Sequence, residues 1–212
     1  MLREPTLIST KAEGGGVGIQ VLSVRDARLV STSGVDEGIK DPLAYALSNA
    51  LVDNPIDSAA LELDGYLEVR TRSPTLMAVT GDARVEVEGK ALPTWRAIPL
   101  PARSRVRIEA IRSVAYVSFK GLRADCSELK AGTVLRTHEL DGRCDDLIAR
   151  YVPSSLISEY LRVRTNGGSW SELLTRVLRH LELASEMARR GAKLIRVKIG
   201  KEVYDVWVEE LR

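Results

Sequence analysis

The chain has 212 residues, 44% of them hydrophobic and 28% charged, with a formal net charge of +2. That balance belongs to a globular protein with enough length to bury a sizeable core, as one large domain or one domain with a small appendage. It excludes the strong basic surplus on which nucleic-acid and membrane-surface binders rely. No apolar run approaches the roughly 18–20 residues needed to span a bilayer. The N-terminus, MLREPTLIST, lacks the apolar core of a signal peptide, so a cytoplasmic location is expected. Gln20 is the only glutamine and Arg far outnumbers Lys, a composition that points to a heat-adapted source.

In chain order, residues 1–140 read as β-rich. Val17–Val24 and Ala27–Ser31 are expected as strands around a turn at Arg25-Asp26. Asp41-Pro42 opens a helix over about 41–52. Asp41 is placed to cap it, and Pro42 sits at the first helical position, where the missing N–H costs nothing. Leu43, Ala46, Leu47, Ala50 and Leu51 recur at helical spacing, and Asn54-Pro55 stops the helix. Short strands follow at Ala59–Leu63, Tyr66–Arg70, Leu76–Thr80, Arg84–Val87, Arg105–Ile111 and Val114–Phe119. The tight connections between them are expected at Asp64-Gly65, Gly81-Asp82 and Gly89-Lys90. Many short strands around one helix suggest a closed or nearly closed barrel.

The remaining residues, 141–212, change character. Two short helices are expected at Asp145–Tyr151 and Ser154–Leu161, and Asn166-Gly167-Gly168 forms a joint. Ser169 and Glu172 make a capping box for a helix over 169–190. Its apolar stripe runs through Trp170, Leu173, Leu174, Val177, Leu178 and Leu181, a face expected to be buried. A β-hairpin over 194–209 ends the chain. The fold class is therefore mainly β (α+β), with a barrel at 1–140 and an α+β extension at 141–212.

The segment Ser33–Glu62 resembles the biotin-dependent carboxyltransferase-like family, which includes allophanate hydrolase subunit 2, a 5-oxoprolinase component and the KipA-type proteins. The resemblance rests on Gly34, Gly38, Asp41, Pro42, Ala44, Asn49, Leu51, Val52, Asn54, Pro55, Ala60 and Glu62. It continues at Met77–Gly81 (MAVTG), Glu88–Trp95 (EGKALPTW) and Arg107–Phe119 (RIEAIRSVAYVSF), with Tyr116 on the family's tyrosine. Where the family has a Gln-Asp block upstream, this chain reads Gln20–Ser33 without that pair. Where the family usually continues into a second related β-domain, about 70 residues follow here, and they are expected to be mostly helical. The resemblance implies a cyclophilin-like barrel. It also implies a small amide, urea-like or cyclic-amide substrate and a companion subunit of a carboxylase or oxoprolinase-type complex. Biotin or ATP would come through such partners, with none bound directly. The other reading is a non-catalytic binding or regulatory subunit with a degenerate barrel, or a self-associating one.

Candidate substrate-binding residues are Asn49, Asn54 and Glu62, while Gly38, Asp41, Pro42 and Gly81 form the structural motif. Each asparagine can hold a substrate amide or satisfy a turn, and Glu62 is either a solvent-facing strand residue or a site carboxylate. The run Gly14–Gly18 precedes a strand rather than a helix, which disfavours a phosphate loop. Cys126 and Cys144 are read as reduced thiols, with a disulfide left open. With only His138 and His180 beside them they do not make a zinc site.

Overall fold

The computed structural model describes residues 18–31, 38–123, 128–138, 140, 145–200 and 202–209. Gly14–Val17, Gly34, Cys126 and Cys144 lie outside the described residues. The strands are β1 (Ile19–Val30), β2 (Ala60–Thr71), β3 (Thr75–Val87), β4 (Lys90–Leu92), β5 (Ala97–Leu100), β6 (Arg105–Phe119), β7 (Val134–Leu135), β8 (Lys193–Ile199) and β9 (Glu202–Val208). The helices are α1 (Pro42–Leu51), α2 (Asp145–Ile148), α3 (Ser154–Asn166) and α4 (Trp170–Arg189).

β1–β7 form one antiparallel sheet in the order β4-β3-β6-β2-β1-β7, with β5 paired to the first half of β3. The described strands do not close it. β7 lies at one edge and β4 and β5 at the other, so of the closed or nearly closed barrel expected from sequence the described strands show an antiparallel sheet bent at its bulges, without closure.

The bend explains a difference from the sequence reading. Pairs of short strands expected around turns are single long strands, broken where the turns were expected by an irregularity, and β1 carries a second one at Val21/Ser23. β1 shifts register at Arg25/Ala27, β2 at Leu63/Tyr66 and β3 at Gly81/Ala83, and β6 opposite those points. These are bulges, which insert residues into one strand and kink it. Asp26 (φ 52°) and Gly81 (φ 87°) adopt the left-handed conformation there. Gly81 has no substitute, because a Cβ would stand 2.6 Å from the Val114 carbonyl oxygen. Gly65 is needed for a different reason: a Cβ would stand 2.6 Å from the Arg25 carbonyl oxygen.

Strand alternation then sorts the core into two parts. Leu61, Leu63, Leu67, Val69, Met77, Val79, Val106, Ile108, Val117 and Phe119 fill the inside of the bend. Ala60, Leu76, Ala78, Val114 and Tyr116 point to the other face of the same strands, which α1 covers. Leu173, Val177 and Leu181 of α4 join that second cluster and bury α1 from outside.

α1 begins as expected. The Asp41 carboxylate accepts from the Ala44 amide at 3.0 Å and Pro42 occupies the first turn. α4 likewise starts with Ser169 Oγ accepting from the Glu172 amide. The buried stripe on α4 lacks its first member. Trp170 is 51% exposed while Leu181 is 2% exposed. Trp170 opens the helix, one turn before the stripe reaches α1, and its indole is left at the surface.

Candidate functional site

Asn49 is fully buried on α1. Its Nδ2 donates to the Ser58 carbonyl at 2.8 Å, and its Oδ1 accepts from Ser118 Oγ at 2.9 Å. Asn54, past the helix end, donates from Nδ2 to the Phe119 carbonyl at 2.9 Å and accepts from the Gly121 amide at 2.9 Å. Ser48 and Ser118 share a further bond at 2.8 Å, and Thr80 donates to the Ala44 carbonyl at 2.7 Å. The two asparagines therefore bolt the C-terminal half of α1 to β6. These bonds pair buried and half-buried polar groups with one another, as buried polar groups require.

Glu62 stands apart from the asparagines, near the start of α1, and is 3% exposed. Its Oε1 accepts from Arg28 Nε at 2.9 Å. Its Oε2 accepts from the Tyr116 hydroxyl at 2.7 Å and from the Lys40 amide at 3.2 Å. Arg28 Nη2 also donates to the Gly38 carbonyl at 2.7 Å, which fixes the left-handed Gly38 ahead of α1. A buried carboxylate is stable only when paired and hydrogen-bonded, and Arg28 with Tyr116 meets that requirement.

Asp41 carries the second buried carboxylate. Its backbone amide donates to the Tyr116 hydroxyl at 2.9 Å, so one tyrosine links the two acids. Its Oδ2 accepts from the Tyr160 hydroxyl at 2.6 Å, with Arg164 Nε at 3.5 Å. Burial, together with the adjoining carboxylates, pushes both tyrosine hydroxyls well above the usual phenol range. Tyr116 and Tyr160 are thus fixed as protonated donors, suited to holding or polarising an acceptor and unsuited to act as bases.

Arg150 completes the arrangement at the far end of α1. Its Nη1 donates to the Ala50 carbonyl at 2.9 Å, its Nε to Ser185 Oγ at 2.8 Å, and its Nη2 pairs with Asp53 Oδ1 at 3.0 Å. A cation at a helix C-terminus also offsets the negative end of the macrodipole. Burial pushes the Asp53 carboxyl up, but Lys120 and Arg150 outweigh it and hold it below its ordinary value. α1 is therefore clasped from the helical side at both ends, by Tyr160 and Arg164 at its start and by Arg150 at its finish.

A second charged surface lies on the opposite arm of the bent strands. Pairing places Arg84, Glu109, Tyr66 and Arg25 in one cross-strand row and Glu86, Arg107, Glu68 and Ser23 in the next. Glu68 is buried at its centre, held below the usual carboxylate range by bonds from Arg105 and Tyr66. The alternating signs stabilise neighbouring strands.

Of the sequence-level candidates, Asn49 and Asn54 come together, and Glu62 joins Asp41 through Tyr116. Arg28, Tyr160, Arg164 and Arg150 are additions that sequence alone did not single out. Gly81 stays structural. Gly18, the described end of the glycine run, leads into β1. A Cβ there would stand 2.2 Å from the Leu135 carbonyl oxygen, so this glycine serves close packing against β7. No helix start follows it to cradle a nucleotide. Among the described residues no group of histidine, cysteine and acidic side chains is placed to hold a metal ion.

Part of this fold recurs in solved structures. The urea amidolyase of Kluyveromyces lactis superimposes with a TM-score of 0.52 at 17% identity, over 57% of this chain and 9% of that one. Its urea carboxylase does so with a TM-score of 0.52 at 15% identity, over 65% and 16%. The protein TTHA0988 gives 0.54 at 19% identity, over 66% and 34%. At such identities the likeness is one of fold, and this chain spans about a third or less of each of those proteins. The chain belongs to the family described as carboxyltransferase domain, subdomain A and B, whose model matches residues 33–138. No curated protein matches it. No helix among the described residues is long and apolar enough to cross a membrane.

Proposed function

We propose that this chain is a carboxyltransferase-type component that acts with a companion subunit on a small amide, urea-like or cyclic-amide substrate. The observation that carries this reading is the inward commitment of the family-motif polar groups. Asn49, Asn54, Glu62 and Asp41 all bond to groups of the protein itself. Rate acceleration needs acids, bases or donors aimed at a reacting centre, so those groups are assigned to a partner that meets this domain. The far larger size of the related proteins supports the same division of labour. Biotin or ATP would be carried by the partner; Gly18, the described end of the glycine run, leads into β1 and not into a helix.

The test is steady-state turnover of urea and of 5-oxoproline with ATP and bicarbonate, using the chain alone and the chain with its companion subunit. Turnover confined to the mixture supports the reading. Robust turnover by the isolated chain contradicts it, and turnover by the companion alone at an undiminished rate favours the non-catalytic alternative.

A further inference from the structure

A cavity of about 590 Å³ opens between α3 and the bend where β3 and β6 carry their bulges. One wall is apolar, made by Trp95, Ile157 and Leu161, with the Tyr160 ring packed against the Trp95 ring at 4.7 Å between centroids. The other wall is charged, made by Arg112 and Arg164 with Asp82 and the Ser113 hydroxyl beside them. Bulges commonly re-aim side chains beside functional sites. Here the Gly81 bulge lets residues 112 and 113 face the cavity rather than continue the ladder.

The two arginines are held loosely. Asp41 takes the Tyr160 hydroxyl at 2.6 Å and the Ala44 amide at 3.0 Å, and Arg164 Nε stands back at 3.5 Å. Arg164 Nη1 reaches Ser113 Oγ at 3.1 Å. Arg112 Nε is 3.7 Å from Asp82, beyond hydrogen-bond reach. Each guanidinium therefore has donors to offer at the cavity, in the planar fork that suits a carboxylate. Two arginines against two aspartates leave the local charge balanced, which accommodates one added negative charge better than two.

We propose that this cavity binds a small organic carboxylate with a flat apolar body, the carboxylate held by Arg164, Arg112 and Ser113 and the body lying against Trp95 and Leu161. The site belongs to this chain alone and does not depend on the partner reading above.

Isothermal titration of the full chain with benzoate, benzamide and phenyl phosphate tests it. Benzoate is expected to bind saturably at one site, more tightly than either of the others. Arg164→Gln and Arg112→Gln are each expected to weaken benzoate about tenfold. Arg112 is largely exposed, so Arg112→Gln leaves the fold intact and its effect reads the site directly. The proposal is overturned by absence of benzoate binding, by benzamide or phenyl phosphate binding as tightly, or by indifference to both substitutions in chains with unchanged thermal unfolding.

Discussion

The Tyr116 hydroxyl donates to Glu62 at 2.7 Å while accepting from the Asp41 amide at 2.9 Å, so a single oxygen ties β2, β6 and the start of α1 together. Removing it in Tyr116→Phe strips a buried carboxylate and a buried amide of one partner each. Such losses cost about 1–3 kcal/mol apiece when no water replaces the group. Urea unfolding should show a fall in stability of that order with an unchanged slope. A variant as stable as the parent would mean that the link carries no energy.

The clasp on α1 should be separable by end. Tyr160→Phe removes the bond to Asp41 but keeps the ring on Trp95, and should cost about 1 kcal/mol. Arg150→Met removes the bonds to Ala50 and Ser185 and leaves Asp53 with Lys120. The two sites share no partner and lie at opposite ends of the helix, so the double variant should be additive within about 0.5 kcal/mol. Strong non-additivity would show that α1 responds as one unit.

Leu181 and Trp170 make a matched pair on α4. Leu181→Ala should cost about 2–5 kcal/mol, as expected for a buried leucine that leaves a cavity. Trp170→Ala should stay within about 0.5 kcal/mol, because the indole is mostly exposed. Equal effects from thermal and urea unfolding would contradict the placement of the stripe.

Histidine 180 introduces a pH dependence. Its Nε2 is buried without a hydrogen-bond partner, its ring meets Tyr151 edge-on at 5.0 Å, and burial lowers its pKa below the ordinary 6.5. The unfolded chain takes up this proton first as pH falls through 6.5, so that stability drops from there until the folded-state pKa is passed. His180→Phe should flatten this part of the stability curve. A stability profile unaffected by the substitution would exclude His180 as its source.

Much of the fold could be read from residue chemistry. The Asp41-Pro42 start of α1, the Ser169 cap of α4 and the terminal hairpin rest on local signals, and they appear within a residue or two of expectation. The bulges escaped because Arg25-Asp26, Asp64-Gly65 and Gly81-Asp82 are turn formers, and a bulge makes the same demands of φ and close approach as a turn. Only cross-strand pairing distinguishes them. Glu62 was legible as a polar residue in an apolar strand, but its Arg28 partner and the Tyr160 and Arg164 partners of Asp41 were not. Tyr160 lies 119 positions from Asp41, and nothing local to either residue announces the contact.

The most direct test of the central claim, that the family-motif polar residues here fasten α1 to the sheet, is the unfolding free energy of Asn49→Ala. Loss of the two Asn49 bonds, to the Ser58 carbonyl and from the Ser118 hydroxyl, at about 0.5–1.5 kcal/mol each, predicts a loss of about 1–3 kcal/mol. An unchanged unfolding free energy, with ligand binding or partner-dependent turnover abolished, would show instead that Asn49 serves a substrate, and would contradict the account.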